Sequence, residues 1–111
     1  MFVGSSLLLV LLAGHALADF SLQSPFLAEA KNRHTVIGRV WWPHAMTAHA
    51  LMHAGIVTVL TGSAALGLAE LSAHWLTDWL KCEGKIGLHV DQAIHIACKL
   101  LWFCIAEAAH R

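Results

Sequence analysis

Two long apolar runs frame this chain: residues 2–20, interrupted near their end by His15 and Asp19, and residues 90–109, whose interruptions include His95, Lys99 and Glu107. Each is long enough to cross a bilayer core as a helix. Between them, residues 45–82 are mostly apolar over a length greater than one crossing needs. Thr61-Gly62-Ser63 and Gly67 are its weakest helical positions, which predicts a hairpin of two helices over 44–61 and 64–81, with Pro43 permitting the start of the first. Ser24 and Pro25 suit the cap and first position of a short helix through PFLAEAKNRH, charged on one side and suited to a membrane surface, ending before Gly38. CEGKIG reads as a turn. The expected fold is all-α: a small polytopic membrane bundle of four short transmembrane helices, with an interfacial helix after the first, in a single integral membrane domain over residues 1–111. Three helices result if 45–82 is unbroken.

Charge favours the hairpin. With four helices, Lys31, Arg33, Arg39, Lys81 and Lys85 fall in the two connections on one membrane face, and the opposite face holds only Arg111. The positive-inside rule then places those connections in the cytoplasm and both termini outside, as in a multi-pass protein of a bacterial inner membrane. Trp41, Trp42, Trp75 and Trp79 flank helix ends on the same side, where an aromatic belt belongs. Ala16-Leu17-Ala18 before Asp19 also reads as a signal-peptidase site, but MFVGSS carries no Lys or Arg to form the usual basic start.

Composition agrees with lipid as the solvent: 58% of residues are hydrophobic and 13% charged. Seven basic and seven acidic residues balance, so nucleic acid is not an expected partner. Cys82, Cys98 and Cys104 are odd in number and lack CxxC spacing, which argues against a disulfide framework or a thiolate metal knuckle. The anomaly is nine histidines in so apolar a chain. Ionisable groups inside membrane segments are costly and are functional candidates by default.

Four polar pairs share an i, i+4 spacing: His15 with Asp19, His49 with His53, His74 with Asp78, and Asp91 with His95. Residues so spaced lie on one helix face with Cβ atoms about 5–6 Å apart, close enough to ligate one ion. The pairs sit at the end of the first helix, the start of the second, the end of the third and the start of the fourth. In an up-down-up-down bundle those places are all at one end, and bundle cores are where metal sites are built from facing side chains. In one unbroken helix His49 and His74 would stand about 37 Å apart and convergence would fail. Imidazole and carboxylate without thiolate suit zinc, manganese or iron, and eight candidate ligands could satisfy two ions. The bland reading is a set of interfacial histidines bonded to each other or to headgroups.

Gln23 continues the His15 and Asp19 stripe, and Lys81 lies one turn past Asp78; either could orient a ligand or meet a phosphate. Glu70 and Lys99 each lie eight residues, about 12 Å, from the proposed site, and are expected to pair across adjacent helices. His34, His44, His89 and His110 read as surface residues. Ala50, Ala54, Gly55, Ala64, Ala65 and Gly67 would let helices approach closely.

HALADFSLQSPFLAEAKNRH, then HALMH, HWLTDWLK and DQAIH, resembles an uncharacterised bacterial and phage membrane-protein family, domain of unknown function 3307. Its opening signature is matched by His15, Asp19, Phe20, Leu22 and Gln23. The resemblance implies that the first segment is a retained helix and supplies no reaction. A looser likeness, by analogy only, is to inner-membrane metal-dependent hydrolases.

The leading expectation is a membrane-embedded metal-binding protein, in one form a hydrolase acting at the cytoplasmic interface on a lipid-linked or phosphate-bearing substrate. Asp19 and Asp78 would be its catalytic carboxylates, and Lys81 would lie near the leaving charge. No GxSxG, HExxH or Gly-rich phosphate loop is present. The alternatives are a proton or metal transporter component, which would need to oligomerise or open internally, and a non-catalytic structural or interaction protein. Haem ligation is disfavoured by the carboxylates beside the histidines.

Overall fold

The hairpin forms where the sequence is weakest in helix. In the computed structural model, which describes residues 2–110, Gly62 adopts φ +72° at the end of one helix, and Ser63 caps the next by accepting from the Leu66 N–H. A left-handed residue at that position stops a helix, and glycine takes it without strain. Arg111, assigned above to the face opposite the basic connections, lies outside the described residues.

Five α-helices result among the described residues: α1 (Gly4–Ala16), α2 (Pro25–Ala30), α3 (Gly38–Thr61), α4 (Ala64–Cys82) and α5 (Leu88–Ala109). No strand occurs among the described residues. The four long helices form an elongated antiparallel bundle of 49 × 22 × 22 Å, in which α1 and α4 each pack against α3 and α5. The Gly4 N–H, at the start of α1, donates to Glu107 Oε1 near the end of α5, which fixes their opposite directions. Gly67 of α4 lies so close to α3 that a Cβ there would overlap Thr58 Oγ1, as expected for small residues at a helix crossing.

Three local features differ from the sequence expectation. First, α1 does not run on as a regular helix to residue 20; it widens into a π-helical turn over Leu17–Ser21, closed by the Leu22 N–H on the Leu17 carbonyl. Such a turn rotates the residues within and after it relative to a regular helix, and Asp19 is buried there. Second, α3 begins at Gly38 and carries Pro43 inside its early turns rather than at its start. Third, the segment after Ser24 is helical for only six residues, and α2 packs on α3 with Ala30 and Lys31 buried. The chain reverses between α2 and α3 in so little space that a Cβ on Gly38 would collide with the Asn32 carbonyl oxygen.

The interior divides along its length. One half is a dry cluster of Leu7, Leu11, Val57, Leu66, Trp102 and Ala106. The other half buries charge, while Leu9, Phe20, Val40, Leu51, Val59, Leu68 and Leu76 point outward. Two stretches, Gly4–Ser21 and Leu88–Ala109, are long and apolar enough to cross a membrane. Only 28% and 22% of their most apolar windows are buried, whereas an all-round apolar helix in a water-soluble protein is a buried one. Helices α3 and α4 hold 24 and 19 residues, and inward-facing polar side chains lower their hydropathy.

Candidate metal centre

The i, i+4 pairs converge as the antiparallel arrangement requires. His15, Asp19, His49, His53, His74, Asp78, Asp91 and His95 are all buried, none more than 7% exposed, at one end of the bundle. Helix periodicity presents each pair inward, and alternating chain direction brings the pairs to one depth.

Asp19 is the hub. Its Oδ1 lies 2.9 Å from His53 Nε2, 3.0 Å from His49 Nε2 and 3.7 Å from His74 Nε2. Its Oδ2 accepts a hydrogen bond of 2.8 Å from the Gln92 amide, whose oxygen is 2.9 Å from His15 Nε2. Across the bundle, Asp78 Oδ2 accepts from Lys31 Nζ at 2.8 Å and lies 3.5 Å from His49 Nε2 and 3.7 Å from His74 Nε2. His95 Nε2 stands 3.2 Å from Asp91 Oδ1 and 3.6 Å from Asp78 Oδ1. The rings of His53 and His74 stack at 3.7 Å, and those of His74 and His95 at 4.0 Å.

His74 shows what the cluster lacks. Its Nδ1 lies 3.2 Å from Glu70 Oε1, and a carboxylate can only accept, so Nδ1 carries the proton. In the neutral ring Nε2 then holds a lone pair that faces Asp19 and Asp78 oxygens and has no hydrogen-bond partner. Buried electron pairs directed at one another repel unless a cation stands between them. Asp91 Oδ1 and His95 Nε2, though 3.2 Å apart, are likewise not joined by an aligned hydrogen bond. Three overlapping groups bring ligand atoms within 4.8 Å of one another: Asp19, His49, His53 and His74; His74, Asp78 and His95; and Asp19, Asp91 and His95. The donor set is nitrogen and oxygen only, since Cys82 and Cys98 are half-buried elsewhere and Cys104 is exposed.

Glu70 and Lys99 pair as expected, and Glu70 Oε2 also accepts from Trp102 Nε1 at 2.6 Å. Glu70 therefore anchors a chain of contacts from the dry half of the bundle to His74.

Two residues of the cluster were missed in the sequence. Lys31 takes the place beside Asp78 expected of Lys81, which is half-buried in the last turn of α4 and within 4 Å of no carboxylate among the described residues. Lys31 carried no signal, because its position on an amphipathic segment reads as surface. Gln92, whose amide joins His15 to Asp19, does the orienting of ligands that the sequence suggests for Gln23. Gln23 instead donates to the Asp19 backbone carbonyl at 3.2 Å. Gln92 follows Asp91 directly and so fell outside any i, i+4 pattern. His34, His44, His89 and His110 are exposed, and His34 Nε2 lies 2.7 Å from Glu83 Oε2. Arg33 donates to both Glu83 oxygens at 2.5 and 2.7 Å, and these bonds hold the Glu83 carboxyl down to about 2. This pairing ties the loop that carries Lys31 to the turn between α4 and α5.

The profile of one protein family, described as "Protein of unknown function (DUF3307)", matches residues 7–110. No curated protein and no solved structure matches the chain.

Proposed function

We propose that this chain, which belongs to the DUF3307 family of unknown function, is an integral membrane protein that holds a divalent metal ion at the cytoplasmic end of a four-helix transmembrane bundle. The observation that carries the reading is His74 Nε2, a buried lone pair 3.7 Å from oxygens of both Asp19 and Asp78 and lacking a hydrogen-bond partner. Asp19, His49, His53 and His74 form the fullest ligand set, and His74 is oriented by Glu70 in the manner of a carboxylate–histidine–metal relay. Zinc, manganese or iron suits these donors.

Membrane residence is supported by the inverted distribution of polarity, with charge inside and large aliphatic side chains outside. Polar residues lower the hydropathy of α3 and α4, but those residues face the axis, so four spans agree with the packing. Lys31, Arg33, Arg39, Lys81 and Lys85 all lie at the cluster end, which the positive-inside rule assigns to the cytoplasm.

The finer reading is hydrolysis of a phosphate-bearing or lipid-linked substrate at that interface. A bound divalent ion supplies Lewis-acid chemistry. Asp91 Oδ1, buried and beside His95 Nε2 at 3.2 Å without an aligned hydrogen bond, is placed to accept a proton, and Lys31 takes the electrostatic part that the sequence suggests for Lys81. A transport path is not favoured: the polar chain from His74 through Glu70 reaches Lys99 and Trp102, and beyond them the described buried side chains are apolar apart from Thr61, whose hydroxyl is spent on the Val57 carbonyl.

The test is elemental analysis of detergent-purified protein together with the variant His53→Ala/His74→Ala. Stoichiometric metal in the native chain and its loss in the variant are expected; metal-free native protein of undiminished stability overturns the reading. Turnover of a phosphate ester by the metal-loaded protein, abolished by Asp91→Asn with metal retained, would support hydrolysis.

A further inference from the structure

Charge and ligand count within the cluster point to a smaller metal inventory than its number of potential donors allows. Asp19, Asp78 and Asp91 are buried and bring three negative charges. The Glu70 and Lys99 pair neutralises itself one turn deeper. Lys31, 3% exposed, brings one positive charge and spends it on Asp78 Oδ2 at 2.8 Å. Asp78 thus has its own cation, and Asp19 and Asp91 are the carboxylates left facing the histidines. Buried charge left uncompensated is strongly unfavourable, and at Asp78 the ammonium already meets the demand that a second metal ion would otherwise answer.

Ligand sharing gives the same answer independently. His74 belongs to two of the three donor groups, but Glu70 engages its Nδ1, so a single nitrogen remains for one ion. Once that ion sits with Asp19 Oδ1, His49 and His53, the second group keeps only Asp78 and His95, with Asp78 held by an ammonium, and the third keeps Asp91 and His95 with Asp19 Oδ2, which the Gln92 amide already holds at 2.8 Å.

We infer that the centre is mononuclear and that the Lys31 ammonium is its built-in second cation, occupying at Asp78 the place a second metal ion would take. This rests on the metal-binding reading above. Lys31 reaches the site because the tight turn before Gly38 folds α2 onto the bundle end, with Arg33 and Glu83 clamping the loop outside. An ammonium at this position removes the electrostatic demand for a second ion without giving up the carboxylate.

The experiment is metal content per chain after equilibration with excess zinc or manganese and desalting, for native protein, Lys31→Met and Lys31→Arg in the same detergent. One equivalent is expected in the native chain, two in Lys31→Met and one in Lys31→Arg. Two equivalents in the native chain, or one in a folded Lys31→Met, overturns the inference while leaving metal binding intact. No metal in the native chain overturns both. If Lys31→Met does not fold, Lys31→Met/Asp78→Asn removes the pair together; it is expected to keep one equivalent at undiminished affinity, and its loss would make Asp78 a metal ligand and overturn the assignment of Lys31.

Discussion

Glu70 Oε1 lies 3.2 Å from His74 Nδ1, one turn deeper on the same helix, and thereby decides which nitrogen of His74 faces the cluster. A second partner of this kind typically changes metal affinity by about 10–100-fold. Glu70→Ala is therefore expected to weaken metal binding by roughly that factor, read by competition with a chromophoric chelator. Glu70→Gln, whose amide oxygen still accepts from Nδ1, should recover part of the loss. Equal affinity in all three proteins would reduce Glu70 to a packing residue.

Lys99 is 1% exposed and its ammonium pairs with Glu70. Breaking a buried ion pair from one side costs about 3–5 kcal/mol, because a charge is left without compensation. Lys99→Met should lower thermal stability accordingly, and Glu70→Gln/Lys99→Met should be more stable than Lys99→Met alone. A double variant that melts no higher would show that the pair contributes nothing beyond its apolar volume.

Gly38 admits no side chain, since a Cβ would meet the Asn32 carbonyl, a backbone atom that cannot rotate away. Gly38→Ala is expected to destabilise by about 1–3 kcal/mol, the range seen when a close-packed interior is overfilled. Because the same turn delivers Lys31, the variant should also change metal stoichiometry. A melt and a metal assay that both match the native protein would contradict this account of the turn.

Glu83 titrates at about 2, held down by the hydrogen bonds from Arg33. A carboxyl whose folded pKa is depressed contributes fully above its unfolded value, near the ordinary glutamate range, and loses that contribution as pH falls toward 2. Comparing melts of native protein and Glu83→Gln should show a gap that is constant above about pH 5 and closes on acidification. A gap independent of pH would mean that the clamp does not depend on the Glu83 charge.

The parts of this architecture legible in the sequence are those governed by helical period. His15 and Asp19, His49 and His53, His74 and Asp78, and Asp91 and His95 announce their faces through spacing, and Thr61-Gly62-Ser63 announces the hairpin through propensity. Lys31 and Gln92 were not legible, because each reaches the cluster through the placement of another segment. Lys31 depends on a reversal that only the absence of a Cβ at Gly38 permits. Gln92 depends on α1 lying beside α5, where Asp19 and His15 wait for its amide. The π-helical turn was equally hidden, since LADFS has no residue that distinguishes a five-residue turn from an ordinary one.

The dry cluster of Leu7, Leu11, Val57, Leu66, Trp102 and Ala106 gives the molecule an insulated floor. In the proposed membrane setting, a bundle with this many titratable side chains on its axis risks becoming a wire for protons, discharging the gradient across the bilayer. Six packed residues without a proton-carrying chain among them interrupt that wire beyond Glu70 and Lys99. On the proposed membrane reading, whatever chemistry the cluster performs is thereby kept on one side of the barrier.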